Sequence, residues 1–128
     1  MRCDSDDGTF PNTCPLTIYI KKLHMCSTKA SFMSSRNPGA RLKQLAKEAG
    51  FVDIQHTVLK VPWGPWPDDE RLKEIGRWSI LSMETGAEAY GMALLTRIEG
   101  MAPEDARQLC AEALKDVKDK RIHMFNNQ

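Results

Sequence analysis

Valine is scarce in this chain of 128 residues, occurring only at Val52, Val58, Val61 and Val117. With Ala and Leu plentiful and β-branched apolar residues few, composition predicts a mostly helical protein with little sheet of its own. An excess of one charge is also missing. Lys and Arg total 18 against 17 Asp and Glu, a net charge of +1, which argues against a dedicated electrostatic binder of nucleic acid or anionic membrane. No apolar run approaches the roughly 20 residues of a membrane span. The opening Met1-Arg2-Cys3-Asp4-Ser5-Asp6-Asp7-Gly8 puts acidic residues where a signal peptide needs basic ones. These absences point to an intracellular protein, cytoplasmic or nuclear. The length itself is that of one ordinary domain and too short for two.

Motifs for cofactors and metals are missing as well. The eight glycines never form G-x-G-x-x-G or a Walker A loop. Neither H-E-x-x-H nor G-x-S-x-G occurs. The four cysteines include no pair at zinc-site spacing, so they are read as reduced thiols, with Cys110 a small core residue. No catalytic, cofactor-binding or metal-ligating residue is assigned. His24, His56 and His123 are read as surface or structural imidazoles.

What is there divides near residue 35. Residues 1–35 carry Gly8, Pro11, Asn12 and Pro15 as breakers. They also hold one short β-like run, Leu16 to Ile20, and read as a weakly ordered leader with one edge strand. From Asn37, a favourable N-cap followed by Pro38, a helix is predicted, with Leu42, Leu45, Ala46 and Ala49 on one face. Gly50 suits the left-handed residue that ends it, with Phe51 folding back onto Leu45 or Ala46. Phe51 to Val61 then alternates as a strand. Its partners could come only from residues 16–20 or from Ile122 to Phe125, which suggests that a sheet is missing.

Pro62-Trp63-Gly64-Pro65-Trp66-Pro67 predicts a stiff extended loop. Asp68, Asp69 and Glu70 suit the start of a helix. A helical region follows to about Arg97, broken by Gly86, with two apolar stripes. One holds Leu72, Ile75, Met83, Tyr90 and Leu94; the other holds Trp78, Leu81, Met92 and Leu95. Such a region is buried on both sides, or packs one side on the core and one on a partner. Pro103 opens a last amphipathic helix carrying Ala106, Leu109, Cys110, Ala113, Leu114 and Val117, behind Ala102, a poor cap. The paired tryptophans are either an aromatic wall beside a flat or apolar substrate or anchors that pin the loop to the core.

The runs Ala49-Gly50-Phe51-Val52-Asp53-Ile54, Pro62 to Pro67 and Arg71-Leu72-Lys73-Glu74-Ile75-Gly76 resemble the fungal LaeA-like methyltransferases that depend on S-adenosylmethionine. So do Ala93-Leu94-Leu95-Thr96-Arg97, Pro103-Glu104-Asp105-Ala106 and Lys120-Arg121-Ile122-His123. The resemblance covers roughly residues 36–125. It implies the C-terminal portion of a seven-stranded class I methyltransferase fold: a helix, the sixth strand, a helical lid and the last helix. By that resemblance the chain stops before the seventh strand, and it lacks the glycine-rich loop and acidic residue that hold the cofactor. Residues 1–35 do not resemble the cofactor half, which points to a mis-joined gene model or a divergent truncation.

The expectation is therefore a mostly α chain with one or two strands, a leader over 1–35 and a methyltransferase portion over 36–128. It is the C-terminal part of a methyltransferase of fungal secondary metabolism, not competent for methyl transfer or cofactor binding by itself. Trp63, Trp66, Trp78, Met83 and Tyr90 are placed on the substrate side. The alternative is a non-enzymatic helical module that binds a partner protein through the apolar helices of residues 69–99.

Overall fold

The computed structural model describes residues 3–30 and 38–128. Their elements are β1 (Cys3–Asp4), α1 (Pro15–Lys29), α2 (Pro38–Glu48), β2 (Lys60–Trp63), α3 (Glu70–Arg97), α4 (Pro103–Lys118) and β3 (Met124–Asn127). The mostly helical expectation holds, and the strands form one small antiparallel sheet in the order β1-β3-β2.

The last helix follows its apolar spacing. Ala106, Leu109, Cys110, Ala113 and Val117 of α4 are buried and meet α3 and α1. Against them α1 places Leu16, Tyr19 and Cys26, with Leu16 and Cys26 fully enclosed. This corrects two expectations for the first 35 residues: Leu16 to Ile20 are helical, not a strand, and residues 15–29 are packed rather than weakly ordered. Pro15 starts the helix, and Leu16, Tyr19, Leu23 and Cys26 recur at helical spacing, so burial outweighs the local β preference of Thr17 to Ile20. Cys14 supplies no side-chain cap. Instead the Leu16 amide donates to Asp116 Oδ2 of α4 at 2.9 Å, satisfying one exposed helix-end donor across the interface. The Tyr19 hydroxyl donates to the Ala87 carbonyl of α3 at 2.8 Å.

α3 is one helix through Gly86, which corrects the expected break. A glycine in a helix costs about 1 kcal/mol relative to alanine, too little to interrupt a helix held by tertiary contacts. Its buried stripe is Gly76, Met83, Ala87, Gly91, Leu94 and Leu95. Three of those six are Gly or Ala, so hydrophobic patterning hides the true packing face. A Cβ on Gly91 would meet the Tyr19 ring at 2.9 Å, and one on Gly76 would overlap the Gly64 carbonyl. The large residues Trp78 and Tyr90, read as part of two apolar stripes, lie outside, 63% and 62% exposed.

α2 ends as its sequence predicts. Gly50 is left-handed. Its amide donates to the Lys47 carbonyl, and that of Phe51 to the Ala46 carbonyl, the two bonds of a Schellman cap. Phe51 itself is exposed, as are Leu42 and Leu45. The expected N-cap, Asn37, lies outside the described residues.

The strand expected over 51–61 is shorter and later. Asp53 adopts a left-handed conformation, and the ladder begins only where Leu59 exchanges both backbone bonds with Gln128. It then runs into Pro62 and Trp63, which pair with Phe125 and Met124. Proline is tolerated there because β2 is an edge strand and needs no amide on its outer side. β3 overlaps the Ile122 to Phe125 segment named above as a strand partner: it pairs antiparallel with β1 on one side and β2 on the other, so β1 and β2 run parallel to each other.

Candidate functional site

Two features lie against this sheet. The first is a groove of about 360 Å³ between β2, β3 and α3, lined by Val61, Trp63, Ile75, Trp78, Ser79 and Ser82 with Asn126 and Gln128. Trp63 closes one wall, its indole N–H donating to Asn126 Oδ1 at 3.1 Å. A wider depression of about 640 Å³ continues along α3 past Trp78 and is lined by Glu70, Arg71, Glu74, Arg77 and Leu81. Trp78 stands between the two and borders both.

The second feature sits at the carboxyl ends of β1 and β2, beside the start of β3. The loop after β1 delivers Asp7, and His123 lies one residue before β3. Asp7 Oδ1 accepts from the Ser5 hydroxyl at 2.6 Å, the Thr9 hydroxyl at 2.7 Å and the Thr9 amide at 3.0 Å. Asp7 Oδ2 lies 2.6 Å from His123 Nδ1. The Ser5 and Thr9 hydrogen bonds, with a smaller contribution from His123, hold the Asp7 carboxyl well below the usual carboxylate range. The Thr9 hydroxyl oxygen also accepts the His123 amide at 2.8 Å. The His123 ring stacks on Trp66, with centroids 5.2 Å apart and planes 22° apart. Trp66 is fixed in turn by its indole N–H, which donates to the Met124 carbonyl at 3.1 Å. Loop and strand are thus locked around the imidazole, and its Nε2 has no hydrogen-bond partner among the described residues.

The residues placed on the substrate side from sequence are dispersed. Trp63 and Trp78 share the groove, and Trp66 backs His123. Met83 is in the core between the helices, and Tyr90 is exposed elsewhere on α3. Both loop tryptophans are pinned by their N–H groups, while Trp63 also forms a groove wall. Sequence reading took His123 as a surface or structural imidazole and did not join it to Asp7. They are 116 positions apart, and no local spacing joins them; the only signal is a polar Asp-Gly-Thr turn beside a stretch expected to be a leader. Asp69 does what its position predicts, capping α3 by accepting the Leu72 amide at 2.9 Å. No group of three or more metal-binding side chains occurs among the described residues. No helix described is long and apolar enough to cross a membrane.

No family model matches the chain, and no solved structure does. Curated relatives do. The chain is 39% identical over 88 residues to the secondary metabolism regulator LAE1 of Cochliobolus heterostrophus, covering 68% of this chain and 29% of the relative. It is 29% identical over 121 residues to the probable methyltransferase tdiE of Emericella nidulans, covering 94% of this chain and 38% of that one. Methyltransferase pytC of Aspergillus terreus is 30% identical over 123 residues, 93% of this chain and 36% of its own. The chain thus spans under two fifths of these relatives. The tdiE and pytC matches leave few residues uncovered, so they take in most of the first 35 and with them α1. The chain is a homologue of LaeA and related fungal secondary-metabolism methyltransferases, and its partial coverage of them fits a C-terminal portion.

Proposed function

We propose that the chain is the C-terminal, substrate-side part of an S-adenosylmethionine-dependent methyltransferase of fungal secondary metabolism, not competent for methyl transfer by itself. The observation that carries this reading is similarity to methyltransferases over only 36–38% of their length. The fold supports it. A sheet of three short strands leaves Val58 and Leu59 exposed where the chain enters β2, apolar surface that a larger sheet would cover.

The cofactor of such enzymes does not fit the described residues. The turns leaving β1 and β2 carry Asp6-Asp7-Gly8 and Gly64-Pro65-Trp66. Neither leads from a strand straight into a helix N-terminus that could cradle it, and no step is assigned to it here. The groove beside Trp63 and Trp78 is the part of the chain we assign to the flat apolar body of the acceptor. Methyl transfer draws chiefly on orientation of the acceptor, and rigid, anchored indoles suit that task.

Calorimetry of the purified chain with S-adenosylmethionine tests the reading. No heat of binding is expected up to millimolar cofactor. Micromolar binding by the 128-residue chain overturns it. A second reading, a helical module that binds a partner protein through residues 69–99, draws on the exposure of Trp78, Leu81 and Tyr90 on α3. Light scattering separates them: a stable monomer whose α3 surface does not bind apolar dye counts against the module.

A further inference from the structure

We propose that His123, oriented by Asp7, is a proton-accepting site for a hydroxyl-bearing ligand at the carboxyl ends of β1 and β2. The site stands on geometry in four parts. The carboxylate of Asp7 can only accept at 2.6 Å from Nδ1, so Nδ1 carries the proton. When the ring is neutral, Nε2 therefore presents its lone pair, and it has no hydrogen-bond partner among the described residues. The ring cannot turn away, because Trp66 stacks on it and is itself tied to the Met124 carbonyl. Asp7 cannot turn away either, since its other oxygen accepts from Ser5 and twice from Thr9. A base fixed by a second group, with its reactive nitrogen free, is the arrangement of general-base sites.

A purely structural Asp–His pair needs neither the stacked indole nor a free second nitrogen. The side chain of His123 is 37% exposed.

The chemistry names the ligand class. A carboxylate already lacks its proton and has none to give to Nε2. A neutral phenol or alcohol does need a base. Its O–H bond breaks, the proton passes to Nε2, and the electron pair stays on oxygen. The imidazolium formed is balanced by the Asp7 carboxylate, and the freed oxygen is the nucleophile. Only the use made of that oxygen rests on the methyltransferase reading.

The test is nitrogen-15 NMR of the histidine rings of the full chain, with His56, exposed and without a carboxylate partner among the described residues, as internal reference. In neutral His123 the Nδ1–H tautomer is expected to exceed the Nε2–H form by about tenfold or more, the ratio set by a charge-assisted hydrogen bond. Asp7→Asn should bring that ratio toward the value at His56. Phenol should shift Nε2 of His123 several times more than that of His56. Anisole, which has the same ring and no proton, should shift neither. A dominant Nε2–H tautomer in the unsubstituted chain overturns the proposal whether or not the variant folds. So do equal responses of His123 and His56, or of phenol and anisole. None of these readouts involves S-adenosylmethionine, so the calorimetric result and this one can fail separately.

Discussion

Replacing Leu16 with alanine measures how firmly α1 belongs to the fold. Leu16 is fully enclosed and belongs to the core cluster with Tyr19, Met83, Leu95 and Ala113. Truncating a buried leucine costs the lost transfer energy plus the cavity, about 2–5 kcal/mol. Its amide is already held by Asp116, so the helix start cannot easily slide to fill the void, and a value near ~3 kcal/mol is expected. With a urea slope of about 2 kcal/mol per molar, the unfolding midpoint should fall by roughly 1.5 M. Melting should drop by about 10 °C. Indole fluorescence is a suitable probe because the three tryptophans, Trp63, Trp66 and Trp78, all lie outside α1. A shift at those sites shows that α1 unfolds with the sheet. Leu42→Ala on exposed α2 is the control and should change stability by less than about 0.5 kcal/mol. If Leu16→Ala matched Leu42→Ala, α1 would not be docked and the core described above would be wrong.

Other substitutions probe the remaining joints. Gly76→Ala should destabilise by about 1–3 kcal/mol or more, because the new methyl overlaps the Gly64 carbonyl; denaturant melts of this variant beside Gly86→Ala, where a Cβ meets nothing within 4 Å, isolate the clash. Ala102→Ser should stabilise by about 1 kcal/mol, since α4 starts without a side-chain cap and Ala102 already has an extended backbone. On acidification, stability should be level down to the ordinary carboxylate range and then fall. Hydrogen bonds to Ser5 and Thr9 lower Asp7, and Lys22 and Lys29 lower Glu99. A depressed folded value makes the contribution complete above the unfolded values of 3.8 and 4.5, and it is lost as pH drops through the folded ones. The double variant Asp7→Asn, Glu99→Gln should flatten that acid limb in urea melts across pH.

Much of the fold was legible where one helix face carries the apolar residues. α4 repeats its spacing from Ala106 to Val117, and Gly50 ends α2 as its type dictates. The failures share a physical cause: partners distant in sequence. Thr17 to Ile20 prefer extended backbone, but packing on α3 and α4 holds the segment as helix, with Thr17 and Tyr19 buried. α3 hides its contact face because Gly76, Ala87 and Gly91 serve close approach rather than hydrophobic bulk. Pro62 in a strand is acceptable only on a sheet edge, and the edge exists only once β3 is in place. The site divides the same way. The anchored tryptophans stand out in sequence, whereas Asp7 and His123 meet across nearly the whole chain.

The position of β3 also fixes the order in which the sheet can be assembled. β1 is made first and β2 midway, yet neither touches the other; each pairs only with the segment translated after both. During synthesis α1, α3 and α4 can gather while Cys3–Asp4 and Lys60–Trp63 wait with bare edges. Sheet closure is therefore a late event with long loops to close, slow by its topology. Until it occurs, Trp63 and His123 lack the neighbours that hold them, so the groove and the imidazole site take shape together.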